Sequence, residues 1–322
     1  MRWTDETQRF EVSANALLSA RRTPADPVTL GLAVRRELLA WYHDASFAER
    51  HPGRSSVEAV QRLIEGTSWR CSGNPKSDGA DAVIAAIPVG LLYAPDAIVT
   101  PALVCSMATH THHNALQASV MTAWLISCLA RGVKLSPSLF MRARNVGRVV
   151  VPKGRAARSL TDALAQHAFL CTHDKAAFEP TWVRPGDGGL RSGSALGIAA
   201  LIALLHAGDP SWENLEVSLS QAAFSGPGAE PVAALTGAIL GTAWGAGAIS
   251  RHLVEHTEQH DHLIDVARAL HLHAQALNRG SVDTVQEVDC TGAFSTPPCE
   301  PRARFAPLSG ESVADVSWDD VA

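Results

Sequence analysis

Aromatic residues are scarce in this chain of 322 residues: Phe, Trp and Tyr together make up 6%. Strands fill their pleated faces with aromatic and β-branched side chains, whereas Ala, Leu and Val dominate here, so packed helices are expected rather than sheets. Closely spaced cysteine pairs are missing too. The six cysteines, at 71, 105, 128, 171, 290 and 299, never fall in a CxxC spacing and read as reduced thiols of a cytoplasmic protein. There is no broad basic field, since 27 Lys and Arg stand against 32 Asp and Glu for a net charge of -5. That balance argues against nucleic acid as a partner. No signal peptide is recognisable, and the apolar runs are broken by His, Gly or charge before they reach spanning length, so no membrane is expected either. The length suits one large domain or two small ones.

What the chain does have begins at its start. Trp3-Thr4-Asp5-Glu6-Thr7 sets a hydroxyl and two adjacent carboxylates before an amphipathic segment, Gln8 to Ala20, in which Phe10, Ala14, Leu17 and Leu18 recur at helical spacing. Two readings are open. Thr4 or Asp5 can cap that helix, or the same oxygens can serve as hard ligands for Mg²⁺ or Mn²⁺. A second helix is expected over 27–44. Ser55 or Ser56 then caps a third carrying Val57, Val60, Leu63 and Ile64, with Gly66 ending it. Cys71 to Ala80 is a Ser-, Gly-, Asn- and Pro-containing loop that leads into the apolar segment Asp81 to Leu91.

The histidines of Thr109-His110-Thr111-His112-His113-Asn114 do not have structural-zinc spacing, and His110 reads as a loop-organising or core residue before a helix from Ala115 to Ala130. Arg142, Arg144, Arg148, Lys153, Arg155 and Arg158 form either a solvated face or one turned toward an anionic ligand. A loop from Pro180 to Arg191 precedes a helix at 195–205. Near the end, Gly237, Gly241 and Gly245 space a small-residue helix, Val232 to Ile249, for close packing. His252 and His256 read as solvated. Beyond Arg279 the chain is rich in Pro, Ser and Asp, so residues 280–322 are expected to be an irregular or partly disordered tail to a domain at 1–279.

Thr4-Asp5-Glu6, the Ser55-Ser56 helix, Pro88-Gly90-Leu91, Thr109-His110 and the helix from Val232 resemble, in this order, the ADP-ribosylglycohydrolase family. That resemblance implies an all-α, single-domain helical bundle. It also implies two divalent metals held between Thr4-Asp5-Glu6 and a second acidic motif, and hydrolysis of the bond linking ADP-ribose to a side chain or small acceptor. The departures are specific. Glu6 stands for Asp, Ala85 for Arg, and the stretch Gly189 to Ala195, with Ser192, Gly193 and Ser194, lacks two carboxylates of the family. The second motif's Asp, Asp and Thr fall on Gly228, Glu230 and Pro231. Two residues precede Trp3, where the family carries a helix and a Gly-rich motif, which implies a late start or a lost helix.

The expectation that follows is one Mg²⁺ or Mn²⁺, or none, with Thr4, Asp5, Glu6 and Glu230 as metal ligands and Asp5 and Glu6 catalytic. Asp78, Asp81, His110, Ser225 and Gly226 would contact an ADP-ribose or nucleotide-like small molecule. Three functions remain: a divergent hydrolase, a non-catalytic relative that binds such a ligand or a partner protein, and a purely structural helical domain.

Overall fold

The computed structural model describes residues 2–20, 26–44, 46–172 and 187–280. Where local chemistry is strongest, the helices start as the sequence dictates. Helix α1 is Asp5–Ala20. Helix α2, Pro27–Tyr42, opens with Pro at its first position while Asp26 Oδ2 accepts from Thr29 N at 2.8 Å. Helix α3 is Arg54–Ile64, and Gly66, at φ 92°, turns the chain beyond it in the left-handed region. Helices α4 (Asp81–Leu92), α5 (Val99–Met107) and α6 (His113–Ala130) follow. Next come α7 (Pro137–Val150), with Ser136 as its cap, and α8 (Ala157–Thr172). The series closes with α9 (Ser192–His206), α10 (Trp212–Ala223), α11 (Ala229–Trp244), α12 (Arg251–His256) and α13 (His260–Gly280). Among the described residues there is no strand, and two isolated β-bridges, Asn74 with His110 and Gly79 with Arg191, lie beside the helices.

The centre of the bundle is the α4–α6 pair, which makes the most extensive helix contact. Both helices are apolar nearly all round, as buried core helices are. A Cβ on Gly90 of α4 would lie 2.5 Å from the Ala123 carbonyl oxygen of α6, so this glycine is where the two backbones close on each other. Helix α1 packs chiefly on α2 and α4. Its contact with α11 is slight by comparison. Helix α13 lies over α1 and α4, with His262 Nε2 2.6 Å from Glu11 Oε1. Ahead of it, Glu258 pairs with Arg50 at 2.9 Å and accepts from Trp3 N at 3.3 Å.

Several local expectations change. Ser55 and Ser56 do not cap α3, because Gly53 occupies that position and Ser56 turns inward instead. Helix α6 starts at His113, and its cap is His112, whose Nδ1 accepts from Asn114 N at 3.2 Å. The Gly237/Gly241/Gly245 series makes no close helix contact. A Cβ at Gly241 or Gly245 would meet nothing within 4 Å, and one at Gly237 would only touch Leu219. Cys105, Cys128 and Cys171 are free thiols, but Cys71 is in a disulfide. No helix among the described residues is long and apolar enough to cross a membrane. The expected tail from 281 onward and most of the 180–191 loop, through Gly186, lie outside the described residues.

Candidate functional site

Helix α1 presents a buried stripe of Asp5, Arg9, Val12, Ala16 and Ala20, so two charged residues occupy positions that helical periodicity assigns to the core. Asp5 and Glu6 are buried in the first turn, at 5% and 6% exposure. Asp5 Oδ2 accepts from Gly53 N at 3.2 Å, which joins the start of α1 to the start of α3. Asp81, opening α4, accepts from Ser56 Oγ at 2.5 Å. Glu230 stands exposed on the first turn of α11. These four carboxylates line one pocket of about 270 Å³, together with His110 and the backbone around Gly79 and Gly228.

The pocket is an assembly of like charges. Burial first, and then the neighbouring Asp81 carboxylate, push Asp5 up to about 7, and the same two causes hold Glu6 well above the usual carboxylate range. Glu6 Oε2 is buried with no hydrogen-bond partner. Below them lies Arg9, fully buried, with its guanidinium 5.4 Å from the Trp41 ring centroid and Nη2 3.4 Å from Thr109 Oγ1. His110 is buried behind Gly79, its Nδ1 3.0 Å from Thr109 Oγ1, and desolvation lowers its pKa to about 4. Its imidazole is accordingly neutral at pH 7.

The other residues singled out in the sequence lie around this pocket without lining it. Asp78 accepts from Asn114 Nδ2 at 2.9 Å and stands 3.8 Å from Arg191 Nε, so it braces the loop behind the pocket. Thr4 uses its carbonyl to accept from Thr7 N. Ser225 Oγ is buried without a partner, and Gly226, at φ 129°, lies against Gly188. Gly53, Ser56, Arg9 and Ser192 were missed by the sequence reading. Ser192 Oγ donates to the carbonyls of Asp78 at 2.8 Å and Gly79 at 2.6 Å, and so fixes the 77–81 rim. A signal for Arg9 was available, as a cation four residues after Asp5 on the apolar stripe.

The second acidic motif is closed as well as depleted. A Cβ at Gly228 would lie 2.2 Å from the carbonyl carbon of Gly189, so the backbone fills the space that a side chain there would need. Pro231 is buried and has no hydroxyl. Among the described residues no three His, Cys, Asp or Glu side chains converge closely enough to hold a metal ion. The carboxylate oxygens suit a hard divalent cation, and Glu6 Oε2 is buried with no hydrogen-bond partner. A pair of ions does not fit, whereas one ion bound by one or two carboxylates, with water completing its shell, matches this donor set. A larger groove, about 690 Å³, runs along α10 between Trp212 and Phe224, but no titratable cluster converges on it beyond Glu213 and Glu216.

The chain is thus an all-helical bundle in which the first turns of α1, α4 and α11 surround one acidic pocket. The sequence matches the ADP-ribosylglycohydrolase family over residues 1–280, and the chain belongs to that family. No curated protein matches it. In fold it is similar to a solved chain described as an "ADP-ribosylglycohydrolase-related protein complex", with a TM-score of 0.60 and 21% identity. That match covers 84% of this chain and 82% of the other.

Proposed function

We propose that the pocket takes ADP-ribose or a related nucleotide-like ligand through a single divalent ion, and that hydrolysis of the attached glycosidic bond is weak or absent. The observation behind this is the gathering of Asp5, Glu6, Asp81 and Glu230 around one pocket, with the buried Arg9 beneath them and the exposed Arg54 at its rim. A diphosphate entering such a pocket would meet like charge unless a cation intervened. Mg²⁺ and Mn²⁺ are commonly held by one or two carboxylates, with water and substrate phosphate filling the remaining positions. Asp5 and Glu6 of α1 are the proposed ligands, while Asp81 of α4 and Glu230 of α11 face the same pocket and add negative charge rather than a third ligand. When bound, the ion supplies charge neutralisation and orients the diphosphate-ribose.

The chain's own residues set the limits of that chemistry. Gly53 N–H fixes one oxygen of Asp5, and Ser56 fixes one of Asp81. In this reading Asp5 and Glu6 would orient a water molecule beside the anomeric carbon. Gly228 and Pro231 supply no side-chain oxygen, so Glu230 is the one carboxylate that motif offers and a second ion would lack a ligand set. With one ion, positioning survives and much of the electrostatic stabilisation of the reaction is lost.

The test is calorimetry of ADP-ribose with Mn²⁺ and with EDTA, followed by hydrolysis assays on arginine-, serine- and O-acetyl-linked ADP-ribose. Binding that needs Mn²⁺ and disappears in Asp5→Ala, with slow or no turnover, is the expected result. Two bound ions with fast, Asp5-dependent turnover would restore the ordinary hydrolase. Tight binding in EDTA that is lost in Asp5→Ala would overturn the role given to the ion, and failure of ADP-ribose to bind under any condition would leave the purely structural reading.

A further inference from the structure

We propose that the groove between α7 and α8 is a second binding site, for a ligand carrying two or more linked phosphates, such as a nucleoside polyphosphate. It has a volume of about 540 Å³ and is lined by Arg148, Arg155 and Arg158, with Pro152, Gly154 and Thr161. That size lies within the range of small-molecule sites. The three guanidiniums come from the last turn of α7, the connecting loop and the first turn of α8. Among the described residues none of the three has an ion-pair partner. Arg142 and Arg144 are already engaged, Arg142 over the Trp124 ring at 5.2 Å and Arg144 with Asn145 and Thr161.

Charge is segregated over this part of the chain. From Ala97 to Thr161 there is no Asp or Glu, although the protein as a whole carries net charge -5. Lys153 adds a further cation to the loop, and Asp162, the first carboxylate after the gap, pairs with none of the arginines. A solvated basic face is normally interspersed with acids, so an acid-free run that converges on a groove creates a local positive field. Three guanidinium forks need more anionic oxygens than one carboxylate offers, and linked phosphates provide them at suitable spacing.

The floor of the groove is fixed before any ligand arrives. Buried Gln117 of α6 donates to Val151 O at 2.7 Å and Gly147 O at 3.3 Å, and accepts from Ala157 N at 2.8 Å. Asn114 Oδ1 accepts from Arg155 N at 2.8 Å, while its Nδ2 holds Asp78 on the rim loop of the acidic pocket. A Cβ on Gly154 would lie 2.7 Å from Gln117 Cβ, so the loop rests directly on α6. A rigid loop keeps the ordering cost of binding low. The two sites therefore sit on either side of Asn114, with opposite charge, and this one requires no metal.

The experiment is calorimetry of the full chain with ATP and with tripolyphosphate, in EDTA so that the acidic pocket has no ion. Saturable binding that weakens with added salt is expected. Arg155→Ala and Arg158→Ala should each weaken it by about tenfold or more, the loss of a charge-assisted contact, and Arg148→Lys should weaken it less than Arg148→Ala. Circular dichroism of each variant checks that the fold is intact. Equal affinities would show that the phosphates alone are read, and tighter ATP binding that the nucleoside is read as well. Absence of saturable binding at millimolar ligand, or binding indifferent to all three arginines, would overturn the site.

Discussion

Asp5 links the charge of the pocket to the stability of the fold. Its carboxyl is raised to about 7 in the folded, metal-free chain, against 3.8 as its ordinary value. Between those values the folded state holds a proton that the unfolded state has released, so this residue makes stability fall as pH rises from about 4 to about 7. Above 7 the folded state carries the full cost of the buried charge, on the order of a few kcal/mol. Asp5→Asn should therefore raise the urea midpoint at pH 8 and have a smaller effect at pH 5, which denaturation in EDTA at the two pH values will measure. A gain that did not grow with pH would contradict the buried, repelled carboxylate. Gly228→Asp, which restores the family's residue, should fail to rescue activity. It should also destabilise by roughly 1–3 kcal/mol, because its Cβ has to displace the backbone at Gly189. Asp5 and Glu6 were legible in the sequence as adjacent acids at a helix start, and Glu230 through the family resemblance. The fastening of Asp5 by Gly53 and of Asp81 by Ser56 was not, since each joins residues far apart along the chain.

At the scale of elements, the glycines separate what spacing can and cannot say. Repeats of Gly at 237, 241 and 245 suggested a tightly packed face, yet a Cβ at Gly241 would meet nothing. The single Gly90 in α4, with no repeat to advertise it, is where two helices close to contact. The physical reason is that spacing specifies which residues share a face, whereas the partner helix decides which face is crowded. Gly241→Ala should leave stability unchanged or raise it by up to about 1 kcal/mol through helix propensity. Gly90→Ala should lower it by roughly 1–3 kcal/mol or more, since Ala123 O and Ile126 Cβ both lie under 3 Å from the new atom. Matched denaturant melts compare them directly, and equal losses would count against α4–α6 as the centre. The helices themselves were mostly legible. Pro27 and Gly66 mark boundaries by backbone preference, and α1 differs from expectation chiefly in beginning at Asp5 instead of Gln8, whereas α7 went unread because its arginines stood out as a basic face.

For the whole molecule, a cation held between α1, α4 and α11 would bind the folded chain and not the unfolded one. Mn²⁺ at about 100 times its dissociation constant should then stabilise by about 2.7 kcal/mol, raising the melting temperature by several degrees. Asp5→Ala should abolish that shift, and an equal shift in the variant would place the ion elsewhere. Composition and periodicity by themselves pointed to packed helices rather than sheets, because few aromatics and an abundance of Ala, Leu and Val favour helix packing as the way to bury surface. The order of its motifs also carried the family. Tertiary structure alone decided that Asp81 joins Asp5, Glu6 and Glu230 while Asp78 faces Asn114, and that Gly228 has no room for the missing carboxylate. It also gathered Arg148, Arg155 and Arg158 around one groove. Each of these depends on where separate helices end in space, which no stretch of sequence specifies without its neighbours.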